Sequence, residues 1–112
     1  DKSFFNAMNK KNSEDYEGAL KLFKKCIEID PKISSPYYES ARIYKKIGEN
    51  SLAEKNIKEA SRLSSKNKWY LYEYAQILFQ NNKYQESAKQ YEKLVEIEPK
   101  NKKNYRREHF FD

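Results

Sequence analysis

The chain has 112 residues, a length for one domain, and its 38% hydrophobic content suits a thin layered array better than a thick globular core. Lys and Arg number 23 against 17 Asp and Glu, a net charge of +6, but the two signs are interspersed, which reads as a solvated face rather than a nucleic-acid track. No apolar run approaches the ~20 residues of a membrane span; the lone His109 has no nucleophile beside it, and Gly18 and Gly48 alone cannot build a phosphate-cradling loop, so membrane insertion by this segment, catalysis, metals and cofactors are set aside.

In chain order, Lys2 to Lys10 reads as a first helix, broken by Lys11 and Asn12. Ser13 then offers a cap for a second helix, with Glu14 and Asp15 suiting its positive end. That helix runs to about Ile29 and stops against Pro31. Ser34 or Ser35 caps a third, with Pro36 in its first turn, where a missing N–H costs nothing, and Gly48 ends it. Glu49 to Leu63 reads as the fourth helix, followed by a polar corner of Ser64, Ser65, Lys66 and Asn67. Lys68 to Gln80 makes the fifth. Asn81 and Asn82 supply a turn, because asparagine tolerates left-handed backbone angles, and Lys83 to Ile97 makes the sixth. Beyond Pro99 a seventh helix is expected from Lys102 to Phe111, able to cover the third unit's open face.

The order hides a repetition. Ala7, Ala41 and Ala75 fall at one register, and Ala19, Ala53 and Ser87 at a second, where facing helices need side chains that do not hold the backbones apart. Larger residues recur around them: Phe23, Ile57 and Tyr91; Ile29, Leu63 and Ile97; Cys26, Ala60 and Leu94. The three larger sets are expected to fill the seam between helices. Cys26, the single cysteine, is read as a packing residue in that series.

A paired-helix unit repeating every 34 residues, with small residues at fixed offsets, resembles the tetratricopeptide repeat. Tyr37, Ala41, Tyr44, Gly48, Ala53 and Ala60 match the family in the second unit; Leu71, Ala75, Leu78, Tyr84, Tyr91 and Pro99 do so in the third; Ala7, Tyr16, Ala19, Phe23 and Pro31 do so in the first. The resemblance implies an all-α tetratricopeptide-type helical-repeat solenoid, with about seven antiparallel helices in a right-handed superhelix. It divides 1–112 into repeats at about 1–33, 34–67 and 68–101 plus the C-terminal helix at about 102–111, a single domain excised from a longer protein, since Asp1 is not an initiator methionine.

In such arrays the first helix of each unit lines a concave groove. Carried onto this chain, the ligand-facing offsets give Phe4 and Met8; Tyr38, Arg42 and Lys45; Trp69, Tyr72, Gln76 and Phe79; and Lys103 and Arg106. Aromatic rings with interspersed cations suit a protein or peptide partner with apolar and acidic character. Trp69 stands out, because Asp1 and Ser35 occupy its register in the other units. Replacing Trp69 or Tyr38 by alanine is expected to change stability little.

One subclass of the family holds chaperone C-termini with a clamp of lysine, asparagine and arginine. At those registers this chain has Phe4, Met8, Glu39, Trp69 and Glu73, and the two acids are expected to repel a terminal carboxylate. A scaffold that binds a partner is therefore the leading reading. Self-association through uncapped terminal helices is the alternative. Nucleic-acid binding, suggested by Lys100, Lys102, Lys103, Arg106 and Arg107 around Tyr105, is disfavoured by the interspersed acids, many of them expected to pair with lysines four residues away.

Overall fold

A computed structural model describes residues 2–98. They form six helices: α1 (Ser3–Asn12), α2 (Tyr16–Ile29), α3 (Ser35–Lys46), α4 (Asn50–Leu63), α5 (Lys68–Gln80) and α6 (Tyr84–Ile97). The helices pack as the hairpins α1·α2, α3·α4 and α5·α6, and each hairpin leans on the next through α2·α3 and α4·α5. The expected seventh helix lies outside the described residues.

Helix ends follow local chemistry, with two corrections to the sequence reading. Lys11 and Asn12 continue α1 rather than break it. Asp15, not Ser13, caps α2: its carboxylate accepts a 3.0 Å hydrogen bond from the Gly18 amide, while the Ser13 hydroxyl donates backwards to the Lys10 carbonyl. A Cβ on Gly18 would sit 2.5 Å from Asp15 Oδ2, so a larger residue there would make the capping carboxylate shift. The amide donor, aided by Lys10, holds the Asp15 carboxyl below its ordinary range despite an opposing desolvation effect. Asn67 caps α5 by accepting from the Trp69 and Tyr70 amides at 2.9 and 3.1 Å. The corner of each hairpin needs one left-handed residue, and Glu14, Gly48 and Asn82 supply it at φ of 64°, 84° and 64°.

Small residues set the helix spacing as expected. Ala7, Ala19, Ala41, Ala53 and Ala75 are fully buried, and Ser87 is nearly so. The serine satisfies its buried hydroxyl by donating to the Ala75 carbonyl at 2.7 Å, so the departure from alanine adds no unpaired polar atom. Phe23, Ile57 and Leu94 fill the seams, each contributing about 1.5–3 kcal/mol.

In the register Ile29, Leu63 and Ile97, the two isoleucines do not fill the seam, while Leu63 is half-buried. Ile29 is 58% exposed and Ile97 38%, because all three close the last turn of a second helix, where the chain leaves its partner. Ile43 and Ile77, on the first helices, are buried instead. Ile43 packs with Ala7, Ala19 and Phe23, and Ile77 with Ala41, Ala53, Ile57 and Ala60, so each locks its own unit onto the preceding one.

Candidate functional site

The first helices α1, α3 and α5 carry the groove residues, and the structure joins the middle of that set into one network. Arg42 and Lys45 on α3 both reach Glu73 on α5: Arg42 Nε lies 3.8 Å from one carboxylate oxygen, and Lys45 Nζ bonds the other. Lys45 also donates to the Gln76 amide oxygen at 3.4 Å, and Gln76 Nε2 donates to the Tyr72 hydroxyl at 2.8 Å. The Tyr38 ring lies 4.7 Å from that of Tyr70, and the Arg42 guanidinium stands 5.6 Å from the Tyr38 centroid. Burial raises the Tyr38 phenol above its usual value. Tyr38, Arg42, Lys45, Tyr72 and Gln76 thus form one surface across two repeats.

The remaining residues of the set behave differently. Phe4 and Met8 are half-buried against the Ala7, Ala19, Phe23 and Ile43 cluster, with Phe4 edge-on to Phe23 at 5.7 Å. Phe79 is 55% exposed and stands edge-on to Tyr84 at 5.0 Å. Trp69 is 62% exposed, with the Lys68 ammonium 5.1 Å from its ring and Lys68 itself held at 2.7 Å by Glu98. Lys103 and Arg106 lie outside the described residues.

Lys11 was missed as a member of this face, and Glu39 and Glu73, read at the clamp registers, turn out to be paired. Lys11 bonds Glu39 at 2.8 Å across 28 residues, and Lys45 bonds Glu73 across the same separation. Lys11 is one period before Lys45 and could have been found from that spacing. The side chains of Glu39 and Glu73 are only 12% and 8% exposed, each beneath a lysine. Their expected repulsion of a carboxylate is therefore offset where they stand.

An open pocket of about 460 Å³ adjoins the network where the α1–α2 corner meets the C-terminal end of α3, lined by Lys11, Glu14, Tyr16, Arg42, Lys45 and Lys46 among others. A smaller hollow of about 330 Å³ lies over Leu20, Ile27 and Tyr44, away from these cations. Among the described residues no group of three or more His, Cys, Asp or Glu is arranged to hold a metal, and no helix is long and apolar enough to cross a membrane.

Sequence profiles of the tetratricopeptide repeat match residues 7–33, 34–67 and 69–101. The chain belongs to the tetratricopeptide-repeat family. It is similar to small glutamine-rich tetratricopeptide repeat-containing protein 2 of Mycosarcoma maydis, at 33% identity over 92 residues that cover 80% of this chain and 26% of that protein. The chain thus spans about a quarter of the length of this relative. Among solved structures, the first repeat domain of Spaghetti (RPAP3) bound to the HSP90 peptide SRMEEVD superposes with a TM-score of 0.79 at 21% identity, covering 87% of this chain and 79% of that one. The type III secretion translocator chaperone SycD of Yersinia enterocolitica superposes with a TM-score of 0.79 at 21% identity, covering 95% and 83%. These likenesses establish an all-α tetratricopeptide solenoid, a fold that serves as a protein-interaction scaffold.

Proposed function

We propose that this chain is a non-catalytic scaffold whose α1, α3 and α5 face grips a partner-protein segment with apolar and acidic side chains. The observation that carries this reading is the solvent-facing Trp69 indole on α5, the helix whose Glu73 meets the cations Arg42 and Lys45 and whose Gln76 accepts from Lys45. A large aromatic ring left in water beside satisfied polar groups is a ready anchor, because covering it releases water without breaking an internal bond. The acidic peptide named for the RPAP3 domain is consistent with a groove of this fold taking such a ligand.

The test is capture of partners from a peptide array of internal, end-blocked segments, using the intact chain, Trp69→Ala and Gln76→Ala. Apolar-acidic peptides are expected to be retained by the intact chain and lost by Trp69→Ala. A retained set identical for all three proteins would remove the groove assignment.

A second reading rests on Phe5, which is 65% exposed on α1. We infer that this face would drive self-association if the groove does not. Sedimentation velocity across a hundredfold concentration range, with Phe5→Glu as the control, separates the two: a concentration-independent monomer removes self-association.

A further inference from the structure

We propose that the pocket at the α1–α2 corner receives an internal acidic side chain of the groove-bound segment, a reading that rests on the groove proposed above. Arg42 and Lys45 line both the pocket and the groove, so a peptide lying on α3 and α5 passes the pocket mouth. Four cations line it, Lys11, Arg42, Lys45 and Lys46, against one acid, Glu14.

The charges are not equally available. Lys11 is committed to Glu39, whereas Glu73 is flanked by two cations, Arg42 and Lys45, and can be neutralised by either. Arg42 is the one turned outward, its side chain 49% exposed against 26% for Lys45. Lys46 rests with its ammonium 5.9 Å from the Tyr16 centroid and has no carboxylate partner among the described residues. The carbonyl ends of α1 and α3 carry partial negative charge here, which Lys10, Lys11 and Lys45 in their last turns offset. Arg42 and Lys46 are then the pair left to hold an anion, with the Tyr16 ring as a wall. Nothing in this arrangement requires a chain terminus, so the site suits a glutamate or aspartate side chain within a segment.

The decisive experiment follows backbone amide shifts of the ¹⁵N-labelled chain on titration with an acetylated, amidated peptide of four glutamates between two phenylalanines. Shifts are expected from Lys11 to Tyr16 and from Arg42 to Lys46. Lys46→Glu should weaken binding at least fivefold and Glu14→Gln should strengthen it about twofold, while Lys66→Glu, an exposed lysine on another corner, should leave it unchanged. Equal weakening by Lys46→Glu and Lys66→Glu would mean diffuse attraction and overturn the site. So would equal binding of the glutamine version of the peptide, or pocket shifts produced by inorganic phosphate but not by the peptide. Shifts confined to α5 around Trp69 would overturn the pocket and leave the groove standing; no shift on any of α1, α3 or α5 would remove both.

Discussion

Lys45 and Glu73 meet across 28 residues, and Lys11 and Glu39 repeat that relationship one unit earlier at 2.8 Å. Each pair ties the last turn of one unit's first helix to the first helix of the next. Removing Lys45 leaves a nearly buried carboxylate with only Arg42 at 3.8 Å to answer it. Lys45→Met should therefore destabilise the chain by about 1–3 kcal/mol, below the cost of an isolated buried charge because Arg42 remains. The double variant Lys45→Met with Glu73→Met should be more stable than the sum of the single losses. Urea unfolding of the four proteins measures the coupling, and strict additivity would show that the pair is not an energetic unit.

Tyr38 and Trp69 should part company when truncated, contrary to the expectation from sequence that both lie off the packed seam. Tyr38 is half-buried against Tyr70 and the Ala41–Ile57 cluster, so Tyr38→Ala should cost about 2–4 kcal/mol. Trp69→Ala removes a ring that is mostly in water and should cost less than about 1 kcal/mol. Thermal unfolding compares them directly; equal losses would mean the indole is packed.

The left-handed corner residues predict opposite signs at one register. Gly48→Ala forces a Cβ into φ 84° and should cost about 1 kcal/mol, although nothing lies within 4 Å of that Cβ. Glu14→Gly relieves φ 64° and should stabilise by up to about 1 kcal/mol. Chemical denaturation of both variants checks the pair of signs.

Acid should loosen the link between the second and third units. Glu54 accepts from Asn81 at 2.8 Å and from Lys83 at 2.6 Å. Burial raises the Glu54 pKa, but these donors outweigh it and hold the carboxyl below its ordinary 4.5. A depressed folded pKa means the contribution is present above the unfolded value near 4.5 and lost as pH falls through the folded one. Glu54→Gln should flatten that part of the stability profile below pH 5, measured by denaturant midpoints; an unchanged slope would dismiss the linkage.

At the alkaline end the sign reverses. Burial first, then the nearby Tyr72 and Glu73, push the Tyr91 phenol up to about 12 from an ordinary 10.0. The folded state then keeps a proton the unfolded state gives up, so the contribution is intact below pH 10 and disappears as pH rises towards 12. Tyr91→Phe should reduce the alkaline loss of stability, and phenolate absorbance of the native chain should show one tyrosine ionising last.

Much of the architecture was legible because its cause is local and periodic. The span Lys68–Gln80 was readable from its flanking Asn67 and Asn81, and the alanine registers from their spacing. The cap of α2 was misread because Ser13 and Asp15 are both good capping types, and they differ only in that Asp15 reaches the Gly18 amide while Ser13 turns back to the Lys10 carbonyl. The exposed Ile29 and Ile97 show where a correct register runs past the end of its partner helix. The ion pairs that join α1 to α3 and α3 to α5 were hidden for another reason. Offsets of three and four residues reveal pairs within a helix, such as Glu17 with Lys21, but Lys11 and Glu39 meet only after two helices have turned back. Lys46, whose ammonium stands over the Tyr16 ring of the preceding unit, likewise entered the candidate site only with coordinates.

The serine at Ser87 carries one last implication. Its hydroxyl fastens α6 to the carbonyl of Ala75 at the spot where the other two units rely on a methyl group alone. The third hairpin therefore has a directional peg in its hinge where its siblings have a smooth bearing, and it should resist sliding along the helix axis when a ligand tugs on α5.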